Sequence, residues 1–131
     1  MEMVTTPHIN VGDCWNLVLE KATGRTYDYI RETFKNSMQS DGGILQNDIN
    51  NFLASYGYTF IDLRRLKGYT TAKEVIKMFQ NYKTVIASFD VRKNQGHLSF
   101  AHEGLHYTTS ETDASFDDPV LFIWIDKKEL K

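Results

Sequence analysis

The chain has 131 residues, a net charge of −2 and a pI near 6.1, with 41% hydrophobic residues, 24% charged residues and only two prolines. That length supports a single core and hence one domain over 1–131, and the composition is that of an ordinary globular protein without disordered or low-complexity tracts. The acidic balance excludes a nucleic-acid binder that relies on a basic surface, and no apolar run approaches the roughly 18 residues of a membrane span.

Residues 1–12 read as an irregular or extended lead-in, because Pro7 prevents a helix from running through them. Met1 to His8 shows neither a positive leader nor an apolar h-region, and Cys14 is the only cysteine. Both features point to a reducing, cytoplasmic setting. Asp13 is a good N-cap for a helix from Cys14 to Thr23, with Trp15, Leu17, Val18, Leu19 and Ala22 around most of its circumference and Gly24 at C′. A helix that is apolar nearly all round is a buried one, so the helix carrying Cys14 is expected at the centre of the core.

Tyr27, Ile30 and Phe34, spaced three and four apart behind Thr26, predict a second helix. Gly42-Gly43 ends the connection that follows it. A third helix puts Leu45, Ile49, Phe52, Leu53 and Tyr56 on one face and stops at Gly57. Tyr58 to Leu63 reads as a short strand or extended loop. Arg64, Arg65 and Lys67 form the one compact basic cluster, read as a solvated loop.

Thr71-Ala72-Lys73-Glu74 is a capping box, which opens a fourth helix that buries Val75, Ile76 and Phe79. After it the period changes from helical to alternating. Strands are expected over 84–90, 97–102, 105–109 and 120–125, the last apolar on both faces. Glu103-Gly104 suits a primed hairpin turn, whose register sets His97 opposite Ser110 with Thr108 and Thr112 diagonal. Helices first and strands afterwards predict an α+β fold, with the helices packed on one side of a mostly antiparallel sheet.

Cys14 is the candidate nucleophile. A thiol in the first turn of a helix faces unpaired backbone N–H groups and the positive end of the dipole, which raises its thiolate fraction. The alternative is a small buried hydrophobe, the usual fate of a lone free cysteine. Of the four histidines, His97 is the best-placed base, at the start of a strand after Asn94-Gln95-Gly96. It reads equally as an ordinary strand histidine. His102 and His106 flank the turn and are expected to be exposed, and His8 lies on the lead-in. An acyl-transfer site also needs an oxyanion donor, for which the Cys14 backbone N–H and a side chain at Asn10 or His8 are candidates.

Gly12-Asp13-Cys14-Trp15 and Ala22-Thr23-Gly24-Arg25-Thr26-Tyr27 resemble the opening of the small papain-like cysteine peptidases found in phage and bacterial genomes. Gly43-Ile44-Leu45 through Tyr56-Gly57-Tyr58 is similar to that family's third helix. Gly96-His97-Leu98-Ser99-Phe100 with Glu103-Gly104-Leu105-His106-Tyr107 resembles its Gly-His strand, tight turn and following strand. The resemblance implies a papain-like fold, Cys14 as nucleophile and His97 as general base, with no metal or cofactor required. It also implies a protein or peptide substrate of the host cell, met in the host cytoplasm. One departure is plain: the family carries an aspartate after the tyrosine of the last hairpin strand, where this chain has Thr108. The third member of the triad is then Glu111, Thr108 or Asp113, in that order.

The functional expectation is a thiol hydrolase that cleaves a peptide or isopeptide bond through an acyl-enzyme, with deamidation or acyl transfer open to the same machinery. Its rival is a binding or inhibitory module that keeps the fold without the chemistry, favoured by Thr108 and by the small size. A cell-wall hydrolase is a third option, disfavoured by the lack of an export signal or wall-binding segment.

Overall fold

The structure, a computed structural model, describes residues 2–5, 14–37, 46–65, 70–90, 95–108 and 119–126. The apolar run after Asp13 forms α1 (Cys14–Thr23). Gly24 ends it at φ 76°, with its N–H donating to the Glu20 carbonyl at 2.8 Å. This is the left-handed stop that only a residue without Cβ adopts freely. The Thr26 hydroxyl accepts from the Tyr29 N–H at 3.2 Å and opens α2 (Tyr27–Phe34). The third helix, α3 (Gln46–Ala54), buries Ile49 and Leu53 and is followed by Gly57 at φ 90°. Leu45 and the Gly42-Gly43 pair lie outside the described residues.

Beyond a short strand β1 (Glu2–Thr5), the remaining elements are β2 (Tyr58–Asp62), a single 3-10 turn over Leu63–Arg65, α4 (Ala72–Met78), β3 (Lys83–Asp90), β4 (Gln95–His102), β5 (Leu105–Thr108) and β6 (Val120–Asp126). The strands join in one sheet, in the order β1-β5-β4-β3-β6-β2. Every pairing is antiparallel except β1 with β5. The α+β class and the mostly antiparallel sheet are as the sequence predicts. Within the lead-in, read as irregular or extended, Glu2 to Thr5 are extended and run parallel to β5. Parallel pairing across a hundred-residue gap leaves no local pattern to read.

The Glu103-Gly104 turn has φ of 54° and 81°, both positive, as a type I′ hairpin turn requires. It fixes the β4/β5 register, with Phe100 opposite Tyr107, Ala101 opposite His106 and His102 opposite Leu105. Thr71 caps α4 by accepting from the Glu74 N–H at 3.3 Å. Glu74 is exposed, and no return bond from its carboxylate accompanies that contact, so the capping box is half made. Arg64 is taken up by Asp62, through Nε to Oδ1 at 3.1 Å and Nη2 to Oδ2 at 2.9 Å, and lies over the Phe122 ring. The Arg65 side chain and Lys67 lie outside the described part.

Two apolar layers sandwich the sheet. On one face Trp15, Val18, Leu19 and Ala22 of α1, with Ile30, Phe34, Ile49 and Leu53 of α2 and α3, pack on Val85, Leu98, Phe100 and Trp124. On the other face Ala72, Val75 and Ile76 of α4 pack on Ile86, Ala101, Ile123 and Ile125. The expectation that all helices share one side is therefore corrected. The central strands β3 and β6 are apolar on both faces, Val85 and Trp124 on the first and Ile86 and Ile123 on the second, so a helix is needed on each side to remove them from water.

Candidate functional site

Cys14 is the first residue of α1, and α1 lies across β4 on the first face of the sheet. The Cys14 side chain is outside the described part. The contacts of α1 with β4 run through Leu98 and Phe100, because only the even-numbered side chains of β4 point to that face. His97, Ser99 and Ala101 point the other way. Their partners on β3, respectively Ser88, Ile86 and Thr84, share that second face, where Ile86 and Ala101 meet α4. The strand position expected to aim the His97 ring at the start of α1 thus aims it to the second face of the sheet. The physical reason is hydrophobic. An apolar α1 packs on the apolar stripe Leu98/Phe100, which commits the intervening polar positions to the opposite side.

On the second face the structure brings together a set the sequence does not single out. His106, opposite Ala101, is 2% exposed, and its Nε2 lies 2.8 Å from the Ser99 hydroxyl. Burial pushes its pKa down to about 4, with the neighbouring positive charge of His97 adding to the effect. His97 itself is 9% exposed. The expectation that His106 is exposed is corrected. Its signal was its place in the β5 alternation, facing small Ser99 and Ala101, which leave the volume an imidazole fills.

His102 lies on the same face as α1, with its ring 6.4 Å from that of Phe100 and its Nε2 4.0 Å from Glu103 Oε1. That is the turn end of the hairpin, the end over which α1 finishes: Lys21 Nζ sits 4.4 Å from the Tyr107 ring centre, and Tyr107 is 5.9 Å from Phe100. A helix rises about 1.5 Å per residue, so Cys14 is at the far end. His8, Asn10, Glu111 and Asp113 lie outside the described residues. Thr108 ends β5, but its side chain is likewise outside. Ser110 and Thr112, expected beside His97, are outside as well. Among the described residues, then, no imidazole shares the face and the end of the sheet where α1 begins. Nor do those residues contain a group of three or more His, Cys, Asp or Glu side chains able to hold a metal ion.

One residue near Cys14 escaped sequence reasoning. Asn16 is 0% exposed, and neither its Nδ2 nor its Oδ1 has a hydrogen-bond partner among the described residues. A buried amide in this state costs about 1–3 kcal/mol, whereas an apolar side chain of the same shape does not. Asn16→Leu is therefore expected to stabilise the fold by about 1–2 kcal/mol, read as a raised urea midpoint at unchanged slope. A lower midpoint would mean that the amide contributes to the native state. The clue in the sequence was a single carboxamide inside an otherwise apolar stretch, Trp15 to Leu19.

No family model, no curated protein and no solved structure matches the chain. No helix among the described residues is long and apolar enough to cross a membrane.

Proposed function

We propose that the chain is a binding module with a papain-like order of elements, in which the thiol and the strand histidine do not work as a pair. The observation that supports this reading most directly is the alternation along β4. Leu98 and Phe100 take the face of α1, while His97 goes to the face that holds Ser99 and His106. The His97 imidazole then belongs to a polar cluster within the second layer. Thr108 in place of the acidic residue of the peptidases agrees with the same reading, since a hydroxyl adds no charge to hold an imidazolium. The partner is a protein, as for the peptidase reading, but it is held rather than cut.

The hydrolase reading keeps one observation in its favour: Cys14 is the first residue of a ten-residue helix, where backbone N–H groups have no intrahelical partner. In that reading the Cys14 thiolate attacks a peptide, isopeptide or carboxamide carbonyl, the C–N bond breaks as the protonated amine or ammonia leaves, and water or an acceptor amine then cleaves the thioester and releases the thiolate. The two readings separate on the thiol. Iodoacetamide labelling across a pH series is expected to show a midpoint near ~8.5, the free-thiol value, unchanged in His97→Ala. A midpoint below about 7 that climbs when His97 is replaced would establish the hydrolase pair instead.

A further inference from the structure

The connection between α1 and α2 carries an arginine held on two sides. Arg25 Nε donates to the Tyr56 hydroxyl at 2.7 Å, and its Cζ lies 4.9 Å from the Tyr29 ring centre and 5.6 Å from that of Tyr56. Arg25 is exposed, and Tyr29 is 45% exposed. A guanidinium has five donors in a planar fork, so one bond through Nε leaves the two terminal nitrogens unengaged. Among the described residues, Arg64 is clamped to Asp62 and Lys35 pairs with Glu32 at 2.6 Å. Among the described residues no carboxylate makes an ion pair with Arg25.

A mobile surface arginine loses rotamer freedom when it binds, whereas this one is already ordered by its own fold. Its free edge matches a carboxylate in bidentate fashion, and the two phenol rings offer apolar contact to the stem of a glutamate. Tyrosine and arginine at an exposed, ordered position are also the residue types that dominate binding hot spots. We propose that Arg25, flanked by Tyr29 and Tyr56, is the docking point for a carboxylate of an acidic segment on a partner protein. This deepens the binding reading above and rests on it. A polyphosphate is disfavoured as the occupant, because it needs several cations. Here the described residues present a single guanidinium, whose fork matches one carboxylate.

The test uses the full chain and a hexaglutamate peptide at low salt, following the arginine Nε–Hε resonances by NMR. The Arg25 signal is expected to shift saturably. Affinity is expected to fall roughly tenfold or more in Arg25→Gln, and measurably in Arg25→Lys, whose ammonium lacks the fork, and in Tyr29→Ala. Hexaglutamine, inorganic phosphate and a short RNA are titrated in parallel. A static Arg25 signal, equal affinity in Arg25→Gln, or saturation by phosphate or RNA at lower concentration than by hexaglutamate would each overturn the proposal. The two readings fail separately. A low-pKa thiol with intact hexaglutamate binding removes the non-catalytic assignment alone, and a free-thiol titration without such binding removes the Arg25 site alone.

Discussion

Acidification from pH 6.5 to pH 4 is expected to cost the folded state about 3 kcal/mol through His106. The imidazole is 2% exposed, and its pKa is lowered to about 4, first by burial and then by the charge of His97, against an ordinary value of 6.5. Between those two values the unfolded chain carries the proton and the folded chain does not. Stability therefore rises with pH across that window. The contribution is complete above about 6.5, is lost as the pH falls towards 4, and does not change further below. Urea titrations at several pH values check this against His106→Gln, which cannot take up a proton but still reaches for the Ser99 hydroxyl. The wild-type chain is expected to lose stability relative to the variant as the pH drops, and parallel curves for the two would show that His106 is not the group responsible.

Replacing Trp15 by alanine is expected to destabilise the fold by about 3–5 kcal/mol. The indole is 2% exposed, meets the Phe34 ring edge-on at 5.7 Å, and lies under the Arg31 guanidinium at 5.7 Å. It belongs to the cluster that ties α1 and α2 to β3, β4 and β6, so its loss opens a cavity in that layer. Trp15→Phe keeps much of the buried area and should recover most of the loss. A shift of the thermal midpoint in Trp15→Ala no larger than that of an exposed control such as Met78→Ala, at a residue 65% exposed, would contradict this placement.

These two effects arise on opposite faces of the sheet, and that division bears on function. The first face has an apolar floor, carries α1, α2 and α3, and exposes Arg25 and Tyr29 at its rim. The second holds α4 and the buried polar group of Ser99, His106 and His97. A papain-type pair needs the thiol and the imidazole on one face. The alternation of β4 separates α1 from His97 by the backbone of the sheet itself.

Local chemistry was legible wherever one residue settles a local conformation. Gly24 and Gly57 mark helix ends because their positive φ suits a residue without Cβ, Thr26 and Thr71 mark helix starts because their hydroxyls accept an otherwise unpaired N–H, and Glu103-Gly104 marks the hairpin. The limits of α1 and α2, and the positions of β3 to β6 to within a residue or two, follow from such signals together with the hydrophobic period. The period also announced that Leu98 and Phe100 lie on one side of β4 and His97 and Ser99 on the other. An apolar helix seeks the first pair, so the orientation of His97 was contained in the pattern, though the Gly-His resemblance argued the opposite way.

Only the tertiary structure decided which layer each element joins. The placement of α4 on the second face, the parallel addition of Glu2 to Thr5 beside β5, and the burial of His106 and of the Asn16 amide all depend on contacts between segments far apart in the chain. Sequence fixes what a segment prefers on its own, through dihedral preferences, capping and periodicity. Which surfaces then meet is chosen by the total apolar area that packing removes from water, a quantity that belongs to the assembled core rather than to any one stretch of residues.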